Sequence, residues 1–241
     1  MLILAIETTG PAASVALADG AGPVRERLSD EGMGHLKNLV PMISGLLAEC
    51  GHTLGDVGCI AVSEGPGSFT GIRIGVATAR ALAQAAGLPA IGVPTLEAFA
   101  YSLPGYSGLV CPIFDARRGQ VYSGLYSAGA PETLIAGAAR EAEGLFGEIR
   151  GVAWETRPER DLLFFGDGAA MCAGMIESVG ACCGIAARVA PPEALMQRAS
   201  SVARMAADML KAGKAKGFSE LLPVYMRMAE AERRLAEAKG V

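Results

Sequence analysis

Aromatic residues are scarce in this 241-residue chain, at 5% of positions. Ring anchors are therefore few, and alanine and glycine must bring neighbouring elements close together instead. Histidine occurs only as His35 and His52, so no HxxxH or HExxH metal pair exists. Each histidine reads as a surface or capping residue. The formal charge is −4 and no lysine/arginine cluster is present, which argues against this chain gripping RNA or DNA by itself. Cysteines at 50, 59, 111, 172, 182 and 183 form no CxxC pair and read as reduced, small hydrophobes. No apolar run approaches the roughly 18 residues that a membrane span needs. The opening MLILAIE lacks a basic n-region and reads as a strand, not a signal peptide. A soluble, cytoplasmic protein is the expectation.

What the chain has is apolar mass: 51% hydrophobic against 19% charged residues, enough for one large or two modest cores. Strands are expected at 2–6, 13–18 and 22–29, and a helix over 34–50, where Leu36, Leu39, Val40, Ile43, Leu46, Leu47 and Cys50 recur at helical spacing before Gly51. A strand at 57–63, a helix at 68–86 and a strand at 90–93 follow, a mixed α/β pattern. The pattern then restarts. LVCPIFDARRGQVYSGLYS (109–127) is a strand, an acid, a turn and a strand, and beside LILAIETTGPAASVALA (2–18) it forms a weak repeat. Glu7 and Asp115 stand at matching strand ends. Further on, the pattern predicts a strand at 162–165 and helices near 168–179 and at 194–212, while Gly/Ala-rich 128–139 reads as loop. The stretch from 228 on, MAEAERRLAEAKG, reads as a solvated helix with Glu230 four residues before Arg234. The expected divisions are 1–103, a degenerate 104–217, and a segment 218–241 that returns to the first.

Residues 63–75, SEGPGSFTGIRIG, carry the strongest local signal. A strand ends at Ser63, Gly65 and Gly67 flank a proline, and Ser68 and Thr70 offer N-cap hydroxyls for the next helix. Helix N-termini attract anions, so a phosphate loop is one reading. The loop lacks a Walker lysine, and its glycines are spaced GxGxxxG. A tight strand-to-helix turn that needs φ > 0 or close backbone approach is the preferred reading.

With ILAIETT, GPGSFTGIRIG, DARRGQVY and PVYMR (223–227) quoted together, the chain resembles the TsaB (YeaZ) family. That family is a TsaD-like branch of the actin/Hsp70/sugar-kinase superfamily. The resemblance implies an α/β fold of two tandem RNase H-like subdomains. It also implies a non-catalytic partner of TsaD in transferring the threonylcarbamoyl group from threonylcarbamoyl-AMP to adenosine 37 of tRNA. TsaE, an ATPase, would join through the complex, tRNA would be met only indirectly, and the chain alone would form a homodimer. No cofactor or metal is implied, since TsaD's metal-binding histidine pair has no counterpart after VPTLEAFA. The alternative is an active ATPase or phosphotransferase of the same superfamily using Glu7, Asp115 and the glycine loop.

Glu7, Thr8, Thr9, Gly65, Gly67, Ser68 and Asp115 are accordingly the candidates for a vestigial phosphate site. Glu7 is one methylene longer than the aspartate usual in that family, and a turn-capping role is preferred for it. Asp115 is open to either role, with Arg117 or Arg118 at hand to neutralise it. The helix over 68–86 has an apolar or small arc of roughly 220°, wider than one sheet contact needs. Either its second side is covered within the chain or it meets a partner, and the resemblance favours the partner. The expected interface is Leu39, Ile43, Leu46, Leu47, Ile72, Ile74, Val76, Ala79, Ala81 and Ala83. Sequence alone does not assign the two sides of that helix.

Overall fold

A computed structural model describes residues 1–20, 24–29, 35–129 and 132–227, with side chains of the first helix described from residue 37. The first half runs β1 (Leu2–Glu7), β2 (Ser14–Asp19), β3 (Arg25–Leu28), α1 (His35–Glu49), β4 (Val57–Gly65), α2 (Phe69–Ala86), β5 (Ala90–Pro94) and α3 (Thr95–Ala98). The second repeats it: β6 (Leu109–Asp115), β7 (Gln120–Ser127), β8 (Thr133–Glu141), α4 (Ala142–Arg150), β9 (Asp161–Phe165), α5 (Ala173–Cys183), β10 (Ala186–Val189) and α6 (Ala199–Lys211). The two five-stranded sheets have orders β3-β2-β1-β4-β5 and β8-β7-β6-β9-β10. In each, three strands meander antiparallel and two more add in parallel beside the first. These are two tandem RNase H-like subdomains, and the weak repeat around Glu7 and Asp115 is the sequence trace of that duplication.

Both sheets are buried on both faces, which is why their central strands read as continuous apolar runs. Leu4, Ile6, Val15, Leu17, Ile60 and Val62 face α1 and α2. The opposite face is built from Ile3, Ala5, Ala16, Ala18, Cys59 and Ala61, and α6 lies on it through Ala199, Val202, Ala203 and Ala206. Small residues on both surfaces let helix and sheet approach closely. The second sheet is covered on one face by α4 and α5. Its other face, with Val110, Phe114, Tyr126, Leu163 and Phe165, takes Leu96, Phe99 and Ala100 from the end of the first half. Each half thus lends its closing helix to the other half's sheet.

That exchange corrects the expected division at 217, because α6 belongs to the first sheet's packing. The chain stays there afterwards, with Lys216 bridged to Ala90 and Leu221 buried in the first core. Three element boundaries also move. Residues 133–139, within the stretch 128–139 expected as loop, belong to β8, which pairs with β7; alanine and glycine carry too little hydropathy contrast to show a period of two. The helix expected near 168–179 is a 3-10 turn at Ala170–Cys172 followed by α5, and the one expected from 194 begins at Ala199. The expected helix beyond 228 lies outside the described residues.

The α6 contact is checked by Ala203→Leu. Ala203 is fully buried against the first sheet, so the larger side chain should cost about 1–3 kcal/mol of stability by overpacking. Ala181→Leu on the exposed face of α5 should change it by less than about 0.5 kcal/mol. Urea melts of both variants read the difference, and equal costs would mean that α6 is loosely seated.

Candidate functional site

The site is assembled where β1 and β4 end side by side. β1 delivers Glu7 into the interior, where the residue is 1% exposed. One carboxylate oxygen, Oε1, accepts from the backbone N–H of Thr9 and from its hydroxyl at 2.6 Å. Oε2 contacts the hydroxyl of Ser63, at the end of β4. Burial pushes the Glu7 carboxyl above its ordinary range, while the hydrogen bonds from Ser63 and Thr9 pull it back. Thr9 is itself a relay, since its hydroxyl donates to Glu7 and accepts from Gln197 Nε2 at 3.0 Å. The Thr8 hydroxyl donates to the Gly71 carbonyl at 2.8 Å, and the Ser68 N–H donates to the Thr9 carbonyl at 2.8 Å.

The glycine loop therefore closes on its own chain. Gly65 and Gly67 hold φ of +122° and +156°, a region that disfavours any Cβ. A Cβ on Gly67 would stand 2.6 Å from Thr9 Cβ, and one on Gly65 would run into the Val224 carbonyl. Further along, a Cβ on Gly71 would strike the Thr8 carbonyl and one on Gly75 the Thr8 hydroxyl. Ser68 caps α2 by accepting from the Gly71 N–H at 3.3 Å, and Gly87 ends the helix in the left-handed conformation. Glu7, Thr8, Thr9, Gly65, Gly67 and Ser68 are thus brought together as one packed junction.

Asp115 is the exception. It ends β6 in the other half, where its carboxylate accepts from the Arg117 N–H at 2.7 Å and pairs with the Arg117 guanidinium at 3.1 Å. Its own N–H donates to Asp167. All of these partners lie in the second half. Arg117 and Arg118 sit at φ of +66° and +59°, a left-handed turn that needs support from outside the hairpin. Arg227 supplies it by donating to the Ala116 and Arg117 carbonyls.

Arg227 ends a strap that sequence reasoning noticed only as the string PVYMR. Val224 donates its N–H to the Glu64 carbonyl at 2.7 Å. The Tyr225 ring lies 4.8 Å from that of Phe69, and its hydroxyl accepts from Arg73 Nε at 2.8 Å. Arg73 in turn stacks 3.8 Å over Phe69. Gln197 and Asp167 were not foreseen, because lone polar residues beside turns carry no periodicity.

The expected interface divides. Leu39, Ile43, Leu46, Leu47, Ile72, Val76, Ala79 and Ala83 are at most 6% exposed and sit in the first core, which corrects their assignment to a partner surface. Ile74 is half-buried and Ala81 exposed, in line along α2 with exposed Ala77 and Ala85. The internal side of α2 is thus the one carrying Ile72, Val76, Ala79 and Ala83.

With this geometry in view, comparison with known proteins is informative. Residues 32–235 match the family model for TsaD: tRNA N6-adenosine threonylcarbamoyltransferase. The chain is 32% identical over 239 residues to the tRNA threonylcarbamoyladenosine biosynthesis protein TsaB of Bacillus subtilis, covering 99% of this chain and 100% of that one. This chain belongs to the TsaB family. Escherichia coli TsaB is 41% identical over 124 residues, 51% of this chain and 53% of that protein. The solved structure of YeaZ from Pseudomonas aeruginosa overlays with a TM-score of 0.75 at 27% identity, covering 93% of this chain and 99% of that one. Membership ties the fold to tRNA threonylcarbamoyladenosine biosynthesis. No helix among the described residues is long and apolar enough to cross a membrane.

The buried carboxyl makes a pH prediction. A folded-state pKa raised above 4.5 means that the folded chain holds the Glu7 proton more tightly than the unfolded chain does. The stability this contributes is present below the unfolded pKa and is lost as pH rises through the folded one. Glu7→Gln keeps the shape, since an amide oxygen accepts from Thr9 and its N–H donates to Ser63, and it cannot titrate. Unfolding free energies measured from pH 4 upward should show wild type losing ground to the variant. A constant gap between them would contradict the assignment.

Proposed function

We propose that this chain is a non-catalytic partner of TsaD, needed for transfer of the threonylcarbamoyl group from threonylcarbamoyl-AMP to adenosine 37 of tRNAs that read codons beginning with A. The observation that carries the reading is the filled glycine loop. Thr8 and Thr9 lie against Gly67, Gly71 and Gly75, where a phosphate-binding loop would present bare backbone, and Ser63 and Thr9 engage the Glu7 carboxyl. A nucleotide-using relative needs that acid and those N–H groups turned toward ligand. TsaE joins through the complex, and tRNA is met through it as well, since a chain of net charge −4 offers phosphates little. The setting is the cytoplasm.

The contact with TsaD, or with a second copy when TsaD is absent, is proposed along the outer side of α2 through Ile74, Ala77, Ala81 and Ala85. Val40 on neighbouring α1 is 53% exposed and extends the same apolar character. A flat run of small side chains suits close helix-on-helix approach, and apolar surface of this kind is seldom left to water.

Reconstitution tests the reading. Transfer from threonylcarbamoyl-AMP to tRNA by TsaD and TsaE should depend on adding this chain, and equal modification without it would end the proposal. ATP turnover by the chain alone, abolished by Asp115→Asn, would favour the phosphotransferase alternative instead. The surface is tested separately. Ala81→Glu should melt like wild type while losing its homodimer and TsaD binding. Ala79→Glu buries an unpaired charge and should cost several kcal/mol. An Ala81→Glu variant that still pairs would remove α2 from the interface.

A further inference from the structure

Of the cysteines, only Cys182 and Cys183 are neighbours in the chain. They close α5, and Gly184 then stops the helix in the left-handed conformation, its N–H donating to the Gly180 carbonyl. Cys182 is exposed, while Cys183 is half-buried at the margin of the second core. Cys59, Cys111 and Cys172 are buried, and Cys50 is half-buried with no cysteine beside it in sequence. A pair of thiols, one open and one partly covered, therefore stands at a single helix end, apart from the junction around Glu7.

Helix geometry decides what the pair can hold. Adjacent Cα atoms lie about 3.8 Å apart, short of the roughly 4.4 Å at which ordinary disulfides begin, and the side chains diverge by about 100° around the axis. A direct S–S bond would be strained unless the last turn unwound. An atom seated between the two sulfurs lets them stay farther apart. Burial first, then the Cys182 thiol beside it, push the Cys183 thiol above its ordinary range, with Arg150 opposing this and Glu155 adding to it. The negative end of the helix dipole also disfavours a thiolate here. A ligand that needs preformed thiolates is accordingly a poor match. So is zinc, which wants four ligands: among the described residues, no group of three histidine, cysteine or acidic side chains could hold a metal ion.

An oxide of trivalent arsenic that carries one organic group meets both conditions. It has two valences to fill and supplies its own proton acceptor. We propose that Cys182 and Cys183 form a bidentate site for trivalent organoarsenicals, which bind as a cyclic dithioarsenite over the end of α5. Each thiol proton passes to the oxide oxygen, which departs as water. Two As–S bonds replace the arsenic–oxygen double bond, and no atom changes oxidation state.

Phenylarsine oxide is the probe, added to the folded full chain after removal of reductant and followed by intact-mass measurement and peptide mapping. One phenylarsenic group per chain should be taken up and should map to Cys182 and Cys183. An excess of mercaptoethanol should leave it in place, and dithiothreitol should strip it. Cys182→Ser and Cys183→Ser should each bind about a hundredfold more weakly, the advantage of a second thiol held beside the first. Cys182 is exposed, so its variant should melt like wild type and keeps the idea testable if Cys183→Ser is destabilised. Cys50→Ser should bind fully. Uptake by the chemically unfolded chain but not by the folded one, undiminished binding by Cys182→Ser, or arsenic mapped to other cysteines would each overturn the proposal.

Discussion

The seating of α6 on the alanine-rich face of the first sheet governs much of the rest. α6 follows the last strand of the second half, yet its small buried side chains fit Ala5, Ala16, Ala18 and Ala61 of the first. Reaching that face forces the chain to cross between the halves at residues 190–198, and this crossing delivers Gln197 to Thr9. Having arrived, the chain runs along the first half to Leu221 and crosses again as the strap that ends on the β6–β7 turn. Leu96 and Phe99 make the reverse journey. Rotating the halves apart would unseat both closing helices, exposing apolar area at about 25 cal/mol per Å².

The same logic explains why the glycine loop invites two readings. Glycine reports that something approaches the backbone closely and says nothing of what does so. In a phosphate loop the visitor is a ligand; here it is the Thr8–Thr9 turn on one side and the Val224 carbonyl on the other. Glu7 belongs to the same exchange of partners. Its extra methylene carries the carboxyl to where Ser63 and the Thr9 hydroxyl can reach it, at the cost of a desolvated acid.

Sequence patterning was most informative where hydropathy contrast is strong. β1, β2, β4, α2 and the β6–β7 hairpin show in the apolar runs and their turn residues, and the duplicated subdomains show in the matching acids at 7 and 115. Alanine defeated it elsewhere. β8 contains Ala136, Gly137, Ala138 and Ala139, whose alternation is invisible on any hydropathy scale, although the ladder to β7 holds them as strand. Alanine on α2 likewise gives no hint of side: Ala79 is fully buried and Ala81 exposed, two residues apart on one helix. Which sheet α6 covers was equally hidden, because shape complementarity between two alanine surfaces is a property of the pair. The polar junction was half legible. Its first-half members cluster in two motifs, whereas Gln197 arrives from 188 positions away.

α2 is where these threads meet. Its inner face is fixed by Ile72, Val76, Ala79 and Ala83 in the first core. Its first turn is clamped by the strap through Phe69, Arg73 and Tyr225, and its ends are set by Ser68 and Gly87. Little freedom is left to a helix held on three sides, so its remaining face is presented as a rigid surface. At 100° per residue, Arg73 and Gln84 border the line of Ala77 and Ala81 on one flank, with Ile74 and Ala85 on the other. A partner helix would settle onto the alanines with little side-chain entropy to lose, and discrimination would fall to the polar flank. Since Arg73 is bonded to Tyr225, that flank reports the position of the strap, and the strap reports the β6–β7 turn through Arg227. A partner docked on α2 as proposed would be linked mechanically to the relative placement of the two halves through the Phe69–Arg73–Tyr225 cluster and Arg227.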